Sequence, residues 1–145
     1  MSTDNGPRFA TGLGWGMVAT VVMSIPMIAG TAAGFLPMPR PIPAAIVGTI
    51  FGQTLPQPVL MVLAAASHLV YGGVAGGILA TITQPLTLAT GLGWGVLLWA
   101  VMGVAWLPFL GWGLFGTGIS PRVTVATLVL HLIYGVTLGW LMDRR

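Results

Sequence analysis

Val123-Thr-Val-Ala-Thr-Leu-Val-Leu-His-Leu-Ile-Tyr-Gly-Val-Thr-Leu-Gly-Trp-Leu-Met142 is a run of twenty residues without a charge, bounded by Arg122 on one side and by Asp143-Arg-Arg145 on the other. A helix rises about 1.5 Å per residue, so such a run is roughly 30 Å long, the thickness of the hydrocarbon core of a bilayer. Working outward, the remaining charges are only Asp4, Arg8 and Arg40, with neither Lys nor Glu anywhere in the chain. Seven charged residues in 145 compare with about a quarter in a soluble domain. The other charge-free stretches, 9–39 and 41–121, are also long enough to cross a bilayer. The reading is an all-α integral membrane protein, because helices satisfy every backbone polar group internally and no alternating strands suggest a barrel.

Four spans are expected, over 9–36, 57–82, 89–115 and 123–142, after a polar tail over 1–8. Alternate prolines from Pro37 to Pro43 forbid a helix between the first two spans. Residues 44–54 are apolar but too few to cross, which predicts an interfacial or re-entrant segment. Ser120 before Pro121 is a good helix start, with an oxygen for free N–H groups and a proline in the first turn. The first span resembles a removable signal peptide only superficially, since its Gly-Leu-Gly-Trp-Gly phrase returns in the third span.

That return is part of a duplication. Gly-Leu-Gly-Trp-Gly occurs at Gly12–Gly16 and Gly91–Gly95, and His-Leu-X-Tyr-Gly at His68–Gly72 and His131–Gly135. The first pair is offset by 79 residues and the second by 63, so the first half carries an insertion of 79 − 63, or 16, residues, which fits the segment over 44–54. Two spans per unit imply two parallel helix-hairpin repeats, 9–82 and 89–145, related by an axis along the membrane normal. Both termini then lie on one side. Arg8, Arg144 and Arg145 outnumber Arg40 and Arg122 opposite, which favours cytoplasmic termini in a prokaryotic cell membrane. Trp15, Trp94 and Trp140 near one face and Trp112 near the other fit an aromatic belt. Glycines at four-residue spacing, as at Gly12/Gly16 and Gly135/Gly139, predict close helix packing, within the chain or in an oligomer.

His131 falls mid-span, where an ionisable side chain is costly and a functional candidate. Tyr134 and Gly135 share its helical face, and His68, Tyr71 and Gly72 repeat the pattern at matching depth. Three readings follow. In one, each His is a polar tie between helices, and the protein is a non-catalytic subunit or scaffold of a larger membrane assembly or a homo-oligomer. In the second, His68 and His131 ligate haem b for electron transfer, with Ala64, Ala65, Gly72, Ala75, Gly135 and Gly139 making room for the macrocycle. In the third, the pair serves a proton or solute path in a small oligomeric transporter or channel.

The remaining motifs are weaker. Met23, Met27 and Met61 with His68 suggest Cu(I), though methionine in an apolar helix usually fills gaps. Pro26 and Pro108 fall at nearby places in the two repeats and read as tolerated packing kinks. No enzyme constellation or metal-binding His-X-X-X-His is present, and Ser67 beside His68 points about 100° away. The absence of Cys excludes disulfides and thiolate sites, and five scattered arginines offer nucleic acid no basic patch. The bilayer itself is the expected partner.

Overall fold

The computed structural model describes residues 5–52 and 54–144. All regular structure among them is helical. Four helices are long and apolar enough to cross a membrane: α1 (Asn5–Ala32), α3 (Gln57–Ile82), α4 (Leu88–Phe109) and α5 (Pro121–Asp143). The short apolar helix α2 (Ile42–Phe51) joins α1 to α3. Of the tail expected over 1–8, residues 1–4 lie outside the described residues, and the rest is already helix. Arg145, counted above on the side of the termini, also lies outside them.

Local chemistry ends these helices earlier than hydropathy suggests. The first was expected to run to residue 36 but stops at Ala32, where Gly34 adopts a left-handed φ of 74°. This lets the Phe35 N–H reach the Gly30 carbonyl at 2.9 Å and the Gly34 N–H reach that of Thr31 at 3.2 Å. The pair is a Schellman stop, satisfying carbonyls the helix would otherwise leave free. The third span was expected to reach residue 115 but ends at Phe109 by the same device. Gly111, with φ 75°, donates to the Pro108 carbonyl, and Trp112 donates to that of Leu107, both at 2.9 Å. Starts are equally local. Thr87 and Thr90 form a reciprocal capping box on α4, and the Ser120 hydroxyl accepts from the Arg122 N–H at 3.2 Å on α5.

Within α4, Met102–Trp106 is a π-helical turn, with the Leu107 N–H donating to the Met102 carbonyl. It lies just before Pro108, which donates nothing and crowds the carbonyl four residues earlier. The wider turn relieves that crowding and rotates the face that follows.

The helices pack through glycine. A Cβ on Gly12 would strike the Gly76 carbonyl, and one on Gly16 would lie 3.1 Å from the Gly73 Cα, so α1 and α3 meet backbone to backbone. On the other side, a Cβ on Gly91 would lie 2.6 Å from the Gly139 Cα, and one on Gly95 3.3 Å from the Gly135 Cα. Helix α5 also packs on α1, and α2 on α3. In lipid nothing drives helices together by water exclusion, so such close approach and its van der Waals contact hold the bundle.

The middle glycine of each Gly-Leu-Gly-Trp-Gly phrase is different, for a Cβ on Gly14 or Gly93 meets nothing within 4 Å. Gly14→Ala and Gly93→Ala are expected to leave the thermal midpoint in detergent unchanged or raise stability by up to about 1 kcal/mol. Gly12→Ala and Gly91→Ala should lower it, and equal midpoints across all four variants would refute the packing described.

Candidate functional site

Beyond the glycine contacts the helices border a partly open cavity of about 280 Å³ lined by all five helices. Five of the six residues singled out in the sequence line it: His68, Tyr71 and Gly72 from α3, and His131 and Tyr134 from α5. Gly135 does not, being pressed against the backbone of Gly91 and Leu92. Helix α2 contributes Ile42, Pro43, Ile46 and Ile50 to the wall.

The two histidines are held by different neighbours. His131 Nδ1 lies 2.8 Å from the Thr127 carbonyl one turn earlier. A carbonyl only accepts, so Nδ1 carries the proton. His68 Nδ1 lies 3.2 Å from the Ser24 hydroxyl of α1, which already donates to the Thr20 carbonyl at 2.7 Å. With that proton engaged, the contact is satisfied when His68 Nδ1–H donates to Ser24 Oγ, as His131 Nδ1–H does to its carbonyl. Nε2 of each ring has no hydrogen-bond partner among the described residues.

The tyrosines diverge too. Tyr134, 2% exposed, donates to the Gly72 carbonyl at 2.6 Å and so ties α5 to α3. Tyr71 is 38% exposed and packs edge-on against Trp106, with ring centroids 6.5 Å apart. Gly72 is the point of closest crowding: a side chain there would occupy the place of Thr20 Oγ1, which is fully buried and donates to Gly16.

Sequence reasoning missed part of the wall. Leu98, Met102 and Trp106 all line the cavity, four residues apart. Met23 and Met27 face it from α1. Met61, expected to accompany them, lines a flanking cavity of about 260 Å³ between α1, α2 and α3, whose wall shares His68 and Met27 with the first. The spacings i and i+4 at Met23/Met27 and Met102/Trp106 were the available signal, but similar spacing on a wholly apolar helix points nowhere in particular.

Haem fits this site poorly. The small residues expected to make room are used in helix contact, Gly72 against Thr20 and both Gly135 and Gly139 against α4. Ala64 and Ala65 line the flanking cavity instead. The volume lies below the roughly 300–1,000 Å³ of sites for drug-sized ligands, and a rigid macrocycle needs more. Ser67 donates to the Ala64 carbonyl at 3.1 Å, an ordinary helix contact and no nucleophile–base pair. No family model matches the chain, nor does any curated protein or solved structure.

The tie from Tyr134 sets a measurable difference between the duplicated tyrosines. Tyr134→Phe is expected to cost about 0.6 kcal/mol, the average for a polar contact between membrane helices, and Tyr71→Phe, at the more exposed ring whose hydroxyl lies beside Trp106, less than that. Reversible unfolding in mixed micelles reads both, and an equal loss in the two variants would contradict the assignment.

Proposed function

We propose that this chain is a small bundle of two parallel helix hairpins in the membrane, acting as a non-catalytic binding subunit that holds one small ligand between its hairpins, alone, as a homo-oligomer or within a larger assembly. The observation that carries this is the convergence of both His-Leu-X-Tyr faces on one cavity, each imidazole with an unpartnered Nε2. The two-hairpin reading is supported by glycines in or beside the same two phrases pairing in each half, one turn out of step: Gly12 and Gly76 face each other's carbonyls, and in the second half Gly91 and Gly135 do. A re-entrant α2 fits as well, since its Ile46 and Ile50 share a cavity with the mid-span histidines. The wall offers a binder imidazole, phenol and thioether groups, with no carboxylate to act as acid or base.

Native mass spectrometry of protein released from its host membrane tests the binding role. Wild type should retain one molecule or ion per chain, and Ile46→Trp, which fills the cavity from the half-buried wall of α2, should emerge bare. A wild type that emerges as the bare chain and takes up no ion or molecule added back sinks the reading.

Cytoplasmic termini follow from the arginine count, and fusions report them directly. A C-terminal fluorescent protein should glow in a bacterial host while alkaline phosphatase at the same point stays inactive. The reverse pattern would invert the orientation and leave the bundle untouched.

A further inference from the structure

Three thioethers and two imidazoles face the same cavity. Met23 and Met27 come from α1, Met102 from the π-helical turn of α4, His68 from α3 and His131 from α5, so every membrane-spanning helix supplies a donor. The methionines are 7%, 5% and 5% exposed. Methionine in an apolar core ordinarily fills space. Here the space persists beside three of them, and Ile42, Leu98 and Leu130 already supply the apolar wall.

We propose that this cavity binds one Cu(I) ion, held by Nε2 of His68 and His131 together with thioether sulfur drawn from the three methionines Met23, Met27 and Met102, in the low coordination number that Cu(I) takes. This rests on the reading of the cavity as a binding site and names its ligand. Thioether and imidazole together are a soft, neutral donor set of the kind that selects Cu(I). Charge points the same way. No carboxylate or thiolate lines the cavity, and the cost of desolvating an ion rises with the square of its charge, so a divalent ion is penalised far more than a monovalent one. A polarisable sulfur shell spreads the single positive charge of Cu(I).

The surrounding bonds suit ligation. A metal-bound imidazole is normally oriented by a hydrogen bond from its other nitrogen, and Nδ1–H of His68 and His131 donate to Ser24 Oγ and the Thr127 carbonyl. The π-helical turn has a role in this arrangement. Leu98, Met102 and Trp106 are spaced as 98, 102 and 106, a spacing that drifts around a regular helix and is held on one face by a wider turn. The flanking cavity, with Met61 on its wall and His68 and Met27 shared, offers an approach through further soft donors.

The test is an anaerobic titration of the full-length protein in detergent with Cu(I) against a chromophoric chelator, paired with X-ray absorption at the copper edge. One ion per chain is expected, with both nitrogen and sulfur in its shell. His68→Ala and His131→Ala should each weaken binding by about 100-fold or more, and Ser24→Ala by roughly 10-fold through loss of ring orientation. Met23→Leu, Met27→Leu and Met102→Leu preserve volume and fold, and combining them should remove the sulfur scatter. Met61→Leu, confined to the flanking cavity, should keep wild-type affinity. No binding beyond that of the variant lacking all five donors, or a copper shell unchanged by the triple methionine substitution, overturns the proposal. Native mass spectra of the same samples separate the two levels of inference. An organic molecule retained in the cavity without Cu(I) binding ends the metal assignment and leaves the binding role standing, whereas a bare chain that also ignores Cu(I) ends both.

Discussion

Two pairs of helix backbones meet at their glycines, α1 with α3 and α4 with α5, and the remaining features are arranged around those contacts. Lipid tails are as apolar as the side chains they touch, so burial of hydrocarbon gains nothing, and association depends on how closely main chains approach. The contacts occupy one end of each helix: Gly12 and Gly16 near the start of α1, Gly72 and Gly76 towards the end of α3, and their counterparts in α4 and α5. Thr20 against Gly72 closes this zone. One and two turns further along lie Met23 and Met27, then the wall supplied by α2, and here the helices surround space instead of one another. The cavity thus begins where the glycines stop.

The four long apolar helices were legible because they rest on length, charge and hydropathy. Twenty uncharged residues between Arg122 and Asp143 leave few alternatives. The ends of the helices were less legible. Hydropathy continues past Ala32 and Phe109, but Gly34 and Gly111 turn the chain and satisfy its last carbonyls whatever the hydropathy of the residues beyond. The site was half legible. His68, Tyr71, Gly72, His131 and Tyr134, singled out by repetition, line one cavity, while Gly135, on the same helical face, packs against the backbone of α4. Met102 stands 79 residues after Met23, the offset of the glycine phrases, and lies on the wall with the help of a π-helical turn that composition does not announce.

The two histidines open the same five-residue phrase, and their neighbours explain why they differ. Thr127, one turn before His131, offers a carbonyl to its ring. The corresponding carbonyl before His68 is that of Ala64, which accepts from the Ser67 hydroxyl at 3.1 Å, and there the ring turns to Ser24 on the neighbouring helix. Seventy-nine residues after Ser24 the chain has Gly103, against which the Phe115 ring packs, so the second half has no hydroxyl in that place. His131 is therefore oriented by its own helix, while His68 is oriented across the α1–α3 contact. His68 is also the ring whose wall is shared with the flanking cavity. The imidazole that borders both spaces is thus the one whose direction depends on how two helices pack, and the close glycine approach of α1 and α3 is what holds it there.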